Sequence, residues 1–242
     1  MNLIYDIGNT ANKLAVYDRG VKVFSLRTRQ VCCEDLQKMI SPYTITKGIV
    51  SSVKDLPEFI YDLITVNIPN VHILNNKTKL PFKNEYKTPE TLGPDRIAAV
   101  AGAYYLYPGR NVLIIDAGSA VTYDYLSGKS YKGGNISPGL NMRFKALHKF
   151  TDRLPMGSAI DKYDSPGRNT IEAISAGVIN GLVFEINEYI RDFEEKNIDA
   201  VVLFTGGDGQ YLRDRLLYKV NYQPDLVFDG LNHILEYNAK ES

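Results

Sequence analysis

The sequence predicts an α/β fold made of two similar halves. Three observations carry this reading. Hairpin strands followed by alternating helices and strands occur twice along the chain. Each set opens on an apolar strand running into Asp-x-Gly, at Asp6 and again at Asp116. A polar stretch carrying Pro81, Pro89 and Pro94 separates the two sets. At 242 residues the chain can bury a real core in one large domain or two modest ones. The expected division is 1–94 for an amino-terminal domain with the first turn and 95–242 for a carboxy-terminal domain with the second. Two such halves invite a ligand cleft between them.

In the first half, Leu3–Ile7 is a short apolar strand. Lys13–Tyr17 and Val21–Leu26 read as a hairpin turning at Asp18-Arg19-Gly20. Glu34–Ile40 reads as a short helix, Lys47–Val53 as a β-branched strand, Leu56–Thr65 as a helix with Pro57 near its start, and Val71–Leu74 as a last strand. Asn75–Pro94 is expected to be a connection. Asp95–Tyr107 is an Ala-rich helix stopped by Pro108-Gly109. In the second half, Asn111–Ile115 is the apolar strand, and Val121–Leu126 with Lys129–Lys132 the hairpin, turning at Ser127-Gly128. Leu140–Lys149 and Asn169–Lys196 have helical patterns, the latter with Asn169 or Thr170 as cap. Ala200–Phe204 is a buried-type strand, Gln210–Leu217 a helix, Leu226–Phe228 a strand and Leu231–Asn238 a helix. Disorder is expected only at Asn238–Ser242.

Composition narrows the function classes. The formal net charge is +0, and proteins that hold nucleic acid through its phosphates usually carry a basic excess, so no nucleic-acid partner is expected. Cys32 and Cys33 are adjacent, a spacing unsuited to a disulfide, which fits a reducing compartment. Asp6 follows Met1 too closely for a signal peptide, and no window of about 18 apolar residues occurs. A cytoplasmic protein without a membrane partner is expected. His72, His148 and His233 lack metal-ligand spacing and read as structural or surface residues, and most of the 17 tyrosines as half-buried packing residues.

No P-loop and no complete G-x-G-x-x-G is present, so a nucleotide must be held in another way. In Asp6-Ile7-Gly8-Asn9-Thr10 with Lys13, a strand-end carboxylate can hold Mg²⁺ through water, Gly8 lets a phosphate approach, and Asn9, Thr10 and Lys13 supply donors. The same residues also make an ordinary hairpin turn. Asp116-Ala117-Gly118-Ser119-Ala120 repeats the logic, and recurrence at equivalent places favours phosphate binding. Thr205-Gly206-Gly207-Asp208-Gly209 can seat a ribose or ring before a helix, or serve as a plain glycine turn. Gly93-Pro94-Asp95-Arg96 opens a helix. There Asp95 reads either as an N-cap or as a general base, with Arg96 aimed at an anion. Gly133-Gly134-Asn135-Ile136-Ser137-Pro138-Gly139 reads as a loop entering a helix.

Taken in order, Asp6-Ile7-Gly8-Asn9-Thr10…Lys13, Gly93-Pro94-Asp95-Arg96, Asp116-Ala117-Gly118-Ser119-Ala120…Thr122…Asp124, Gly133-Gly134…Ile136…Pro138-Gly139 and Thr205-Gly206-Gly207 resemble the type III pantothenate kinase family over nearly the whole chain. The resemblance implies two ribonuclease-H-like domains of the actin-like ATPase superfold and transfer of phosphate from ATP to pantothenate, the first step towards coenzyme A. It implies that Asp6, Ile7, Gly8, Asn9, Thr10, Ala11, Asn12 and Lys13, with Ser119, Gly206 and Gly207, contact ATP. Asp6 would stand near Mg²⁺, through water, and Asp116 would hold a monovalent cation, K⁺ or NH₄⁺. Asp95 would be the base, and Tyr86, Gly93, Pro94, Asp95, Arg96 and Thr170 would contact pantothenate. A homodimer is implied as well. The family usually has Thr where this chain has Ser119, which keeps the hydroxyl and loses a stiffening methyl. Another small-molecule kinase of the superfold, a non-enzymatic actin-like or chaperone-like ATPase, and a regulatory relative are the alternatives.

Overall fold

A computed structural model describes residues 1–29 and 33–240. Cys32, Glu241 and Ser242 lie outside the described residues, so the expectations for the cysteine pair and the end of the tail are left there. The chain groups into two compact units, Met1–Pro108 with Lys129–Tyr131 and Asp225–Ser242, and Gly109–Gly128 with Lys132–Pro224. They differ from a division at residue 94, because the helices on both sides of the second unit's chain belong to the first unit.

In the first unit, β1 (Asn2–Ile7) lies at the centre of a five-stranded sheet. It pairs antiparallel with β2 (Asn12–Asp18) and parallel with β4 (Lys47–Ser52), and β3 (Val21–Thr28) and β5 (Asn70–Ile73) form the edges. The β2–β3 turn uses Arg19 at φ 48° and Gly20 at φ 84°, the left-handed pair that tight hairpins require. Alternation along β1 decides what each face does. Leu3, Tyr5 and Ile7 join Leu36 and Ile40 of α1 (Cys33–Ile40) and Ile60 and Ile64 of α2 (Glu58–Asn67) in one core. Asn2, Ile4 and Asp6 point to the opposite face, where Asn2 donates to Asn232 Oδ1 at 2.9 Å and to Glu236 Oε1 at 2.7 Å. Both acceptors stand on α7 (Leu226–Ala239).

α7 packs on α3 (Pro94–Leu106) with almost no room for side chains between them. A Cβ at Gly230 would lie 1.8 Å from the Ala98 carbonyl oxygen, and one at Gly102 would lie 2.5 Å from that of Leu226. This explains why the expected strand and helix across 226–238 form one helix: Gly230, which lies between them, is the contact point. Asn238 and Ala239 finish that helix rather than fraying. Tyr17 donates to Asp229 at 2.6 Å and Lys47 reaches Glu236 at 3.0 Å. Half-exposed ion pairs contribute about 0–1 kcal/mol each. Burying a side chain such as Leu231 or Ile234 contributes about 1.5–3 kcal/mol. Packing therefore holds α7, and the polar rim fixes its register. The expected connection 75–94 is partly ordered pairing: β6 (Lys83–Asn84) runs parallel to Ser130–Tyr131, and Pro89–Thr91 forms a 3-10 turn.

The second unit repeats the topology. β7 (Asn111–Ala117) pairs antiparallel with β8 (Ala120–Ser127) and parallel with β10 (Val201–Thr205). β9 (Ser130–Pro138) lies beside β8 and β11 (Asn221–Tyr222) beside β10. The order β9-β8-β7-β10-β11 matches β3-β2-β1-β4-β5 strand for strand. Leu113, Ile115 and Ala117 face a core with Leu140 and Phe144 of α4 (Leu140–Lys149) and the inner face of α5 (Thr170–Lys196). Asn169 caps α5, its side chain accepting from Glu172 N at 3.0 Å. Three expectations change. Residues 133–138, read as loop, continue β9, with Gly133 at φ 99°, a left-handed value that glycine allows. β11 was not anticipated. The helix expected over 210–217 is only α6 (Gly209–Arg213), because 3-10-type bonds close it and Leu217 N is captured by Asn187 Oδ1 at 3.0 Å.

Candidate functional site

In the first unit, strand register builds the site. Asp6 stands opposite Lys13 on β2 and Ser51 on β4, and directly opposed residues share a face. Both side chains consequently reach the carboxylate. Ser51 Oγ donates to Asp6 Oδ1 at 3.1 Å, and Lys13 Nζ lies 3.6 Å from Oδ2. Asp6 is only 3% exposed. Burial pushes its pKa above the ordinary carboxylate range; Lys13 opposes this, the negative charge of Asp95 adds to it, and the hydrogen bonds from Ser51 and Lys13 lower it. Beyond Asp6, Gly8 N donates to Ala11 O at 3.1 Å and closes a tight turn with Asn9 and Thr10 exposed at its apex. Asn12 opens β2, its amide 3.5 Å from Arg29 O. Lys54 Nζ donates to Asn9 O at 3.0 Å, bringing a second ammonium to the turn.

Asp95 is the second residue of α3, whose N-cap is Gly93. Asp95 Oδ1 accepts from Arg96 N at 2.9 Å, satisfying one orphan donor from inside the first turn, so it is not the N-cap residue. The side chain folds back over Gly93, where a Cβ would stand 2.5 Å from Asp95 Oδ1. Arg96 is buried, with its guanidinium carbon 5.5 Å from the centroid of the half-buried Tyr86 ring. Tyr86 N donates to Asn84 Oδ1 at 3.0 Å. The first unit thus brings the Asp6 turn, Asp95, Arg96 and Tyr86 into one region, close enough for the charge of Asp95 to act on Asp6.

In the second unit, Asp116 stands opposite Thr122 on β8 and Thr205 on β10. Gly118 N donates to Ala120 O at 3.0 Å, and Ser119 is exposed at the turn. Gly206, at φ 101°, passes so close that a Cβ would lie 2.3 Å from Ala117 O and 2.5 Å from Asp116 Oδ1. Asp208 N donates to Ala117 O at 2.9 Å. Gly139 packs on the same turn, where a Cβ would stand 2.3 Å from Gly118 O. Asp116, Ser119, Gly206 and Gly139 therefore converge. Gly207 follows in the same 205–209 turn. Thr170 lines a different feature, a groove of about 500 Å³ with Leu147, Leu154, Gly167 and Ile174.

Among the described residues, no group of three or more His, Cys, Asp or Glu could by itself hold a metal ion. The donor sets at Asp6 and Asp116 are instead single carboxylates beside hydroxyls, which suit hard cations that take their remaining ligands from water or phosphate. The histidines are structural: His72 Nε2 bonds Thr78 Oγ1 at 2.8 Å, His148 Nδ1 bonds Leu154 O at 2.8 Å, and His233 stacks on Tyr105.

The family model for type III pantothenate kinase matches residues 2–192. The chain belongs to the type III pantothenate kinase family. A type III pantothenate kinase of Phocaeicola vulgatus is 44% identical over 241 residues, covering 99% of this chain and all of that protein. A solved structure from Campylobacter jejuni, named as a Baf family transcriptional activator, has TM-score 0.63 at 25% identity and covers 98% of this chain and 99% of that one. The (R)-2-hydroxyglutaryl-CoA dehydratase component A of Acidaminococcus fermentans has TM-score 0.54 at 14% identity, covering 99% and 98%, and bears on the fold alone. The fold is the α/β actin-like ATPase superfold. In this type III pantothenate kinase family member the match takes in Asp6–Lys13, Tyr86, Gly93–Arg96, Asp116–Ala120 and Thr170, while Gly206 and Gly207 lie beyond it.

Ser51, Lys54 and Tyr131 were not singled out from the sequence. A signal existed for the first two: Ser51-Ser52-Val53-Lys54 follows the β-branched strand that must lie beside β1, at the same end as the Asp6 turn. No sequence signal marks Tyr131.

Proposed function

We propose that this chain phosphorylates pantothenate with ATP, the first step of coenzyme A synthesis. The observation that carries the reading is the Asp6–Asp95–Arg96–Tyr86 cluster of the first unit in a chain that belongs to this family. Gly8, Asn9, Thr10 and Lys13 present backbone and side-chain donors to phosphate, with Ile7, Ala11 and Asn12 framing the turn. Asp6 would hold Mg²⁺ through water, and the ion would supply neutralisation of phosphate charge there. Asp95 accepts the proton of the pantothenate hydroxyl as its oxygen bonds the γ-phosphorus and the bond to ADP breaks. Arg96 faces the substrate carboxylate or the charge developing on the phosphoryl group.

Within the second unit, Ser119, Gly206 and Gly207 are assigned to the nucleotide, Asp116 to a monovalent cation, K⁺ or NH₄⁺, and Thr170 to pantothenate. The domain roles follow the turns, phosphate for the Asp6 turn and cation and adenosine for the Asp116 and Gly206 turns. No helix among the described residues is long and apolar enough to cross a membrane. A cytoplasmic homodimer is the assembly this reading implies, and exposed Ile171 and Phe184 on α5 are apolar surface that a second copy could cover.

The test is ADP release from ATP and Mg²⁺, with and without pantothenate and K⁺. Pantothenate-dependent release, enhanced by K⁺, supports both substrate and cation. Release that never depends on pantothenate, with NH₄⁺ as well, overturns the substrate. The name of the Campylobacter protein makes salt-sensitive DNA binding the rival outcome to check in that case.

A further inference from the structure

We infer that Tyr131 is a positioning residue for the pantothenate pocket, acting through Tyr86 and Arg96. The inference rests on the assignment of those two residues to pantothenate made above. Tyr131 is fully buried, so it cannot itself touch substrate. Its ring lies parallel to that of Tyr86, with centroids 6.2 Å apart and planes 12° apart. Tyr86 in turn carries the Arg96 guanidinium at 5.5 Å. The half-buried Tyr86 ring thus contacts both a buried ring and a buried cation.

The segment bearing Tyr86 needs such a contact. β6 is two residues long, and so short a strand has little hold of its own. Lys83 N donates to Lys129 O at 2.8 Å and Glu85 N to Tyr131 O at 3.0 Å, which fixes the height of the segment. Phe82, also buried, packs at 6.1 Å on Tyr104 of α3 and fixes its near end. Past Glu85 the ring stack on Tyr131 sets where the Tyr86 ring lies. A guanidinium held against an aromatic face loses less freedom when it meets a carboxylate. Placement of the Tyr86 ring therefore sets how ready Arg96 is for an anionic substrate.

The test is steady-state kinetics with pantothenate and ATP, alongside thermal melting. Tyr131→Leu removes the ring and is expected to raise KM for pantothenate about five- to tenfold, the scale of one aromatic pair, with KM for ATP unchanged and kcat within about twofold. Tyr131→Phe keeps the ring and restores the wild-type KM. In a Tyr86→Leu background, Tyr131→Leu adds no further change. Should Tyr131→Leu not fold, Glu85→Pro removes the Glu85 N–Tyr131 O bond, together with the exposed Lys83–Glu85 ion pair, and is expected to raise the same KM. An unchanged pantothenate KM in folded Tyr131→Leu or Glu85→Pro overturns the inference, as does an equal rise in both KM values. The parent reading fails differently: wild-type protein without pantothenate-dependent turnover overturns it and this inference together, and Tyr86→Leu with unchanged KM overturns the pocket assignment.

Discussion

The two aspartate turns share a frame and differ in what surrounds the carboxylate. Both sit at the end of a central strand flanked by an antiparallel and a parallel neighbour. In the first unit the opposed residues are Lys13 and Ser51, and the carboxylate is buried. In the second they are Thr122 and Thr205, and Gly206 backbone lies against a half-buried carboxylate. One turn is defined by charge held out of water, the other by backbone fit around an oxygen. A duplicated topology thus yields two carboxylate environments, because burial and the opposed residues differ between turns that share the Asp-x-Gly motif.

Four substitutions sharpen that contrast. The largest effect is expected at the charged side: Asp95→Asn should lower turnover about 100-fold or more, the scale of a lost general base, while the melting temperature is kept. Near-normal turnover would remove Asp95 from the base role. At the backbone side, Gly206→Ala places a Cβ 2.3 Å from Ala117 O at a φ of 101° and should cost about 2 kcal/mol or more in unfolding free energy. Gly8→Ala meets only Ala11 O at 3.0 Å and should stay within about 1 kcal/mol. Equal losses in denaturant titrations would end the distinction between the turns.

The smallest effect has a pH signature. The folded pKa of Asp6 lies above its unfolded value, so the folded state holds the proton more tightly and the stability contribution of Asp6 falls as pH rises between the two. Asp6→Asn should therefore raise the melting temperature of the ligand-free protein at neutral pH, by about 2–4 °C per kcal/mol recovered. The gain should vanish below the unfolded value of about 3.9. A drop at neutral pH would mean that Lys13 and Ser51 outweigh burial.

The central strands, both hairpins and the long helices could be read from the sequence because periodicity and turn chemistry are local. The failures share a cause. Residues 226–228 look like a strand apart from the helix after them until α3 is present to pack against both. Gly133-Gly134 looks like loop until β8 is beside it. α6 is shortened by Asn187, far away in sequence. In the site, Asp6, Asp95 and Asp116 announce themselves through glycine neighbours. Ser51 and Tyr131 become visible only through strand register and ring stacking, which no spacing along the chain encodes.

The return of α7 to the first unit has a consequence for synthesis. A ribosome releases β1–β5 and α3 early, yet the helix that fills the groove along α3 and binds Asn2, Tyr17 and Lys47 emerges only after the whole second unit. The unit begun first must be finished last. Until then the face of α3 that α7 covers stands open, and Asn2, Tyr17 and Lys47 wait for their partners on α7.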